Sequence, residues 1–327
     1  DFLVRLVLTI PALFIAILAP LAGLMIDRFG RKPMLVISLT LYGIAGTSGL
    51  FLDSLTHLLI ARAFHGIAIA GLMPAVTTLV ADYFTGEERN RFMGQQNAFM
   101  ALGGMVFIIV GGWLADFSWR GPFLVYATAF LLLPVSMWVL HEPDRTAYQG
   151  AENPVMDKPF RPAVILMIYT SAFLIMGLFY VIPVQLPFYL RQDPSVNNTM
   201  VGIAIASYTA TAGMLSLAYR WVRARWSFPW IYAMGFAFMG LGYGVVALSE
   251  SYEQVIGGML LSGIGGGFLF PNTGLWVAAV APARLRGWLM GGPATSYFLG
   301  QFSSPFLLQP FTSEGSLDTA FGLAAIF

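Results

Sequence analysis

The chain has 327 residues, of which 17 are basic and 16 acidic, so 10% are charged and the net charge is +1. An ordinary soluble domain has about 25% charged residues. A hydrophobic fraction of 57% and a mean hydropathy of +0.74 therefore favour a polytopic membrane protein. The chain has no cysteine, which excludes a disulfide scaffold and cysteine-ligated metal sites. The small net charge gives no reason to expect a nucleic-acid partner.

Charged residues divide the chain into apolar stretches that are long enough for a helix to cross a bilayer. The predicted spans are 6–26, 33–52, 56–83, 92–115, 121–140, 162–190, 200–219, 228–249, 253–281 and 287–310, followed by a stub from about 319. Helices satisfy every backbone group in lipid, so we expect an all-α membrane protein. The prolines predict kinks in three spans, at Pro74, Pro183, Pro187 and Pro271.

Lysine and arginine predict the orientation. Thirteen of the 17 basic residues fall in loops of one face, three on the other, and Arg62 inside a span. By the positive-inside rule the 13 face the cytoplasm. The polar stretch 142–161 lies on that face and separates a helix bundle at 1–141 from one at 162–327, so we expect a cytoplasmic linker there. We expect a multi-pass monomer in the inner membrane of a bacterium.

A shift of 197 positions aligns residues 66–103 with 263–300 without a gap. The 11 identities include Gly66 with Gly263 and Pro74 with Pro271. A parallel repeat of this kind predicts a substrate site between two halves near the middle of the membrane. If the halves have equal numbers of helices, we expect one helix before residue 1 and an incomplete last helix, in a layout of six plus six.

A turn after the first span combines glycines, an acid and three cations: Gly23, Asp27, Arg28, Gly30, Arg31 and Lys32. It resembles the signature G-x-x-x-D-R-x-G-R-K of the major facilitator superfamily. The resemblance implies two pseudo-symmetric bundles of six helices and transport by alternating access. It also implies that Arg31 pairs with Asp82 and that Asp27 faces the helix beginning near Gly287. A turn that fixes topology without a gating role is the alternative. The corresponding stretch 219–223 lacks the acid and the glycine.

Arg62 lies inside a predicted span, where a charge costs at least ~2.5–3.5 kcal/mol. Arg62 and His65 resemble the R-x-x-Q-G motif of the superfamily's fourth helix, with histidine in place of glutamine. The resemblance implies a role in proton coupling or substrate contact, and we expect Arg62 to point to the space between the halves. The alternatives are a buried strut for Arg62 and a polar contact between helices for His65.

Further polar residues in the spans could line a cavity and orient a ligand, or could serve packing. These candidates are Gln96, Tyr180, Gln185, Asn272 and Gln301. A partial match to the fifth-helix antiporter motif, Gly103, Gly104, Gly111 and Gly112, has Phe107 and Ile108 where the family has Gly-Pro. Close helix packing through small residues is the alternative there. Asn197 precedes a span and is predicted to be its N-cap.

These features favour a secondary transporter over a channel or receptor, which would need neither the repeat nor the signature turn. No metal-ligand spacing involves the three histidines and no phosphate-binding loop occurs, so we expect no enzyme, metal or cofactor. The expected partners are the lipid bilayer, a small-molecule substrate and protons. Apolar, acid-poor spans favour efflux of a drug-like or amphipathic compound. Uptake of a sugar, an organic anion or another metabolite is the alternative.

Overall fold

A computed structural model describes residues 2–143, 160–282, 285–312, 321–322 and 324–325. Throughout these ranges the regular structure is helical, as the sequence predicts. The helices are α1 (Phe2–Phe29), α2 (Arg31–Thr47), α3 (Leu55–Tyr83), α4 (Gly86–Phe117), α5 (Thr128–Val139), α6 (Pro162–Phe179), α7 (Val181–Leu190), α8 (Asn198–Arg225), α9 (Phe228–Ala247), α10 (Tyr252–Val280) and α11 (Arg286–Thr312). Two 3₁₀ helices cover Ser48–Leu50 and Gly121–Ala127.

Each of the ten predicted spans contains a helix. In the described part of the chain, seven helices are long and apolar enough to cross a membrane. The number becomes eight when the two parts of α1, which meet at a 60° bend, are counted as one span. Helix α4 is apolar over its shorter C-terminal part, Leu102–Phe117. The chain is therefore a multi-pass membrane protein.

The prolines affect their helices differently. The span Pro162–Leu190 is interrupted at Tyr180, between α6 and α7. Pro183 lies three residues after this break, has no N–H for the carbonyl of Phe179, and its ring crowds that carbonyl. Helices α3 and α10 instead continue through Pro74 and Pro271.

The helix boundaries repeat with the spacing found in the sequence. Helix α10 begins and ends 197 positions after α3, and α9 begins 197 positions after α2. A Cβ atom on Gly66 would lie 2.4 Å from the carbonyl oxygen of Pro11, and one on Gly263 would lie 2.6 Å from that of Tyr208. Pro11 and Tyr208 are also 197 positions apart. The same close helix crossing therefore joins α1 to α3 and α8 to α10.

The chain divides into two compact units. One contains Leu3–Met100 and the chain from Phe123 to the linker, and the other contains Ala101–Pro122 and the chain after the linker. The C-terminal part of α4 thus groups with the later helices, although the sequence places it in the first bundle. Most of the predicted linker, 144–159, lies outside the described residues.

Candidate functional site

The signature turn between α1 and α2 is held by an ion pair. Arg31 donates from Nε to Oδ2 of Asp82 at 2.9 Å, and its Nη2 lies 3.7 Å from Oδ1 of Asp27. The side chains of Arg31 and Asp82 are 17% and 18% exposed, whereas that of Asp27 is 73% exposed. The pair expected between Arg31 and Asp82 is present, and it joins the turn to the last residues of α3.

Glu142 caps the first turn of α2. Its two carboxylate oxygens accept the backbone N–H groups of Arg31 and Lys32, each at 2.8 Å. These N–H groups have no partner within the helix, and a carboxylate is favourable at the positive end of the helix dipole. Gly30 makes the arrangement possible, because its φ is +107° and a Cβ there would lie 2.7 Å from Oε1 of Glu142.

Two further contacts tie the end of α5 to this turn and to α3. Lys32 donates from Nζ to the carbonyl oxygen of Met137 at 2.8 Å. Tyr83 donates its hydroxyl to the carbonyl of His141 and accepts the backbone N–H of His141 at 3.0 Å. The two rings stack with centroids 4.7 Å apart. Sequence reasoning missed Glu142, Tyr83 and His141. A carboxylate at the end of a span, on the face where cations collect, was the available signal for Glu142.

The remaining members of the signature have looser surroundings. A Cβ on Gly23 would meet no atom within 4 Å, so packing does not require glycine there. The guanidinium of Arg28 lies 5.5 Å from the ring centre of Phe29 and the residue is exposed. The orientation of Asp27 toward the helix that begins near Gly287 stays a prediction.

Arg62 is 5% exposed and is held within the first unit. It donates from Nη1 to the hydroxyl of Tyr126 at 3.2 Å and from Nη2 to the carbonyl of Gly46 at 3.3 Å. The guanidinium carbon also lies 4.9 Å and 5.0 Å from the ring centres of Phe123 and Tyr126, which stabilise the cation through their π faces. These contacts all lie within the first unit and correspond to the strut alternative. The orientation of Arg62 toward the space between the halves stays a prediction.

Two glycines, one near the end of α2 and one in the 3₁₀ helix Ser48–Leu50, leave room for the two rings beside Arg62. A Cβ on Gly46 would lie 2.5 Å from Tyr126, and one on Gly49 would lie 2.3 Å from Phe123. The rings therefore approach the backbone closely enough to enclose the guanidinium. Sequence reasoning missed both aromatic partners, which lie more than 60 positions after Arg62 and come from the 3₁₀ segment Gly121–Ala127.

His65 lies in the same cluster and is 4% exposed. Its ring centre is 4.5 Å from that of Tyr42 and 4.7 Å from that of Tyr126. The Nδ1 atom is buried and has no hydrogen-bond partner. A buried polar atom without a partner is destabilising, so this nitrogen retains hydrogen-bonding capacity. The structure thus brings Arg62 and His65 together, as their spacing predicts.

The five polar candidates have different surroundings. Asn272 accepts the Tyr219 hydroxyl at 2.8 Å and donates to the carbonyl of Phe228 at 3.0 Å, so it ties α10 to α8 and α9. This is a packing role. Gln185 is fully buried, and neither amide atom has a partner.

The other three candidates differ in burial. Gln301 is 6% exposed in α11, and Tyr180 lies at the break between α6 and α7. Gln96 is half-buried in α4, with its Oε1 buried and without a partner. Gln185 and Gln96 therefore have amide atoms without a partner that a ligand could use, whereas both amide atoms of Asn272 already have one.

The sequence matches one family model and several transport proteins. The Major Facilitator Superfamily model matches residues 2–193 and 168–327. Multidrug resistance protein 1 of Bacillus subtilis (strain 168) is 37% identical over 131 residues, which are 39% of this chain and 33% of that protein. The cis,cis-muconate transport protein of Acinetobacter baylyi (strain ATCC 33305 / BD413 / ADP1) is 25% identical over 317 residues, 90% of this chain and 75% of that protein. The match thus spans about a third of the first relative.

A solved structure shares the fold. The bacterial homolog to the human lysosomal transporter Spinster, in an inward-facing and occupied conformation, matches with a TM-score of 0.76 and 15% sequence identity. The match covers 99% of this chain and 84% of that one. The helices, the 197-residue repeat, the signature turn and the family model agree, and the chain belongs to the major facilitator superfamily.

Proposed function

We propose that the protein is a secondary active transporter that exports an amphipathic or drug-like compound in exchange for protons. Membership of a transporter superfamily supports transport, and the multidrug resistance relative supports export of such compounds. The observation that carries this choice is the position of the acids. Every described acidic side chain lies at a helix end or in a loop, so the described parts of the spans offer apolar and aromatic surface.

In this proposal the signature turn stabilises one state of the transport cycle. The pair between Arg31 and Asp82 and the cap by Glu142 hold the α1–α2 connection on the ends of α3 and α5. Both contacts occur at helix ends, where water can replace them when the structure changes. Asp27, which is largely exposed, is then free to contact a moving helix and to act in gating.

His65 and Arg62 are the proposed coupling residues. Nδ1 of His65 is the atom that would take up the proton, and Arg62 lies one turn away on the same helix. Burial and the neighbouring guanidinium oppose this charge in the closed cluster, so proton uptake requires a conformation that opens the cluster. Two positive charges inside one aromatic cluster repel each other strongly in a low-dielectric interior. Proton binding would therefore shift the populations of the two transport conformations, and such a shift is the basis of proton-coupled transport. The protein acts in this scheme as a monomer of a bacterial inner membrane, with the linker in the cytoplasm.

A second candidate is transport of an organic anion. Two observations favour it: the muconate transport relative aligns over 90% of this chain, and the buried cation Arg62 has an Nε atom without a partner. A carboxylate could accept a hydrogen bond from that nitrogen. The two candidates predict opposite charge preferences, so one assay distinguishes them.

The test uses the full-length protein in liposomes with a right-side-out or an inverted orientation and an imposed proton gradient. Ethidium serves as a lipophilic cation and cis,cis-muconate as a dicarboxylate. Export in exchange for protons predicts gradient-dependent ethidium movement that stops when the gradient is collapsed. Movement of muconate without ethidium would replace this proposal by the anion alternative, and movement of neither would refute both choices of substrate.

A further inference from the structure

The C-terminal end of α4 caps the N-terminus of α8. The carboxylate of Asp116 accepts the backbone N–H of Asn198 at 2.7 Å and that of Thr199 at 3.1 Å. It also accepts the Thr199 hydroxyl, and the Asn198 amide donates to the carbonyl of Ala115 at 3.1 Å. The next N–H, of Met200, is capped by Asn197 within the chain segment itself. The first three N–H groups of α8 are thus all satisfied, two of them by another helix.

Below this cap the two helices approach closely through glycine. A Cβ on Gly112 would lie 2.5 Å from the carbonyl oxygen of Asn198, and one on Gly202 would lie 3.0 Å from that of Ile108. A Cβ on Gly103 or Gly104 would meet nothing within 4 Å. The glycines of the partial antiporter motif are therefore not equivalent. Close packing is confined to the end of α4 that carries Asp116.

The contact joins helices from different halves of the sequence repeat. Helix α4 precedes the linker and α8 follows it, yet the C-terminal part of α4 belongs to the same compact unit as α8. The distribution of lysine and arginine puts this end of α4 on the outer face of the membrane. A carboxylate at a helix N-terminus is a strong but local interaction. Its partners are backbone N–H groups at a helix end, and water can bind them when the helices separate.

We propose that Asp116, Gly112 and the first turn of α8 form an outer clasp, which is closed in this structure and must open once in each transport cycle. The clasp rests on the proposed function for its place in the cycle. Asp116 acts here as a positioning residue, since it sets how often the outer ends of α4 and α8 are together. It need not contact the transported compound.

The absence of cysteine allows a direct distance measurement. Spin labels at F117C and I203C, both on exposed positions, report the separation of the outer ends of α4 and α8 in liposomes. Labels at I203C and L248C form the matched control, since both sites lie after the linker and are exposed. Loss of one helix cap predicts that D116A raises the separated population relative to the closed one about threefold to thirtyfold. T199A, which removes the hydroxyl alone, should give a smaller increase.

The control pair should keep its distance in both variants. Identical distance distributions with and without the substitutions would refute the clasp. An equal change in the control pair would also refute it, because it would indicate general loosening of the structure.

If D116A does not fold, T199A provides the same comparison. The transport rate of D116A should differ from that of the unsubstituted protein. An unchanged rate despite altered distances would show that opening of the clasp is not a step of the transport cycle. Because the distances need no substrate, failure of the protein to move any probe would count against the proposed function alone.

Discussion

Glu142 illustrates why side-chain partners are hard to predict from one sequence. The turn that it caps lies 110 positions earlier, and a cap requires that the two segments meet with defined backbone geometry. The sequence could predict that Gly30 adopts an unusual backbone conformation, and its φ is +107°. It could not predict which carboxylate occupies the helix end, because several acids lie on the same face.

The cap by Glu142 predicts a measurable stability loss. Glu142→Ala should lower the free energy of unfolding by about 0.5–2 kcal/mol, because two N–H groups of α2 lose their acceptor. Glu142→Gln should lose less, since the amide oxygen still accepts one hydrogen bond. Thermal unfolding of the purified protein measures both. Glu250→Ala is the control, an acid in the loop before α10. Equal effects at positions 142 and 250 would contradict the cap.

The Arg31–Asp82 pair predicts energetic coupling. Each single change, Arg31→Ala or Asp82→Ala, leaves the other charge largely buried and without its partner. The two single losses of stability should therefore add up to more than the loss in the double variant. The coupling energy from the double-mutant cycle should be about 1–3 kcal/mol. Arg91→Ala, at an exposed cation near the start of α4, should have little effect. Additive single effects in unfolding measurements would show that the pair adds no stability.

The Arg62 cluster was partly predictable, and its function can be tested by graded substitutions. Burial of Arg62 follows from its depth in the span, but its aromatic partners come from a segment without a distinctive pattern. Arg62→Lys keeps the charge and loses the planar fork that reaches both Tyr126 and Gly46. Transport should fall sharply, and Arg62→Ala should abolish it while the protein still reaches the membrane.

Tyr126→Phe separates charge from hydrogen bonding in this cluster. It keeps the ring beside Arg62 and His65 and removes the hydroxyl, so transport should fall less than in Arg62→Lys. The measurement is the initial rate of probe transport at equal protein in the membrane. Normal proton-driven transport by the Arg62→Ala variant would show that Arg62 has no role in proton coupling.

The close crossing of α8 and α10 at Gly263 predicts that alanine has different effects on stability at two glycines of α10. Gly263→Ala forces α8 and α10 apart, because the added Cβ would meet the backbone of Tyr208 at 2.6 Å. Overpacking of this kind costs about 1–3 kcal/mol. Gly274→Ala on the same helix meets nothing within 4 Å and should gain up to about 1 kcal/mol from helix propensity. Gly66→Ala, the repeat equivalent, should behave like Gly263→Ala in thermal unfolding. Similar stabilities for the variants at 263 and 274 would contradict the crossing.

The helices themselves were predictable because hydropathy and charge define membrane spans strongly. The internal repeat even fixed the helix ends, since α3 and α10 share their boundaries after the 197-residue shift. The 3₁₀ segment Gly121–Ala127 was not predicted: its apolar residues continue the pattern of the following helix, and hydropathy does not distinguish the two helix types. The break at Tyr180 falls in a span where prolines predict a kink, but Pro74 and Pro271 leave their helices continuous, so proline alone does not predict which span is interrupted.

For the whole molecule, the sequence predicted the helical membrane fold and the family, and it predicted side-chain contacts less completely. Positive charges in alternate loops and a repeated Gly–Pro pattern are collective signals that survive the replacement of single residues. The grouping of the C-terminal part of α4 with the later helices depends instead on a few contacts between distant segments, such as Asp116 with α8. A pattern along the chain carries no information about such contacts.

In the proposed mechanism, export of the compound and entry of protons are one coupled process. Full-length protein in liposomes with an internal pH-sensitive dye tests this coupling, when an ethidium gradient is imposed without any proton gradient. Ethidium moving one way should drive protons the other way, and Arg62→Ala should remove this proton movement. Ethidium transport with no change in internal pH, in membranes that hold a pH gradient, would contradict the coupling.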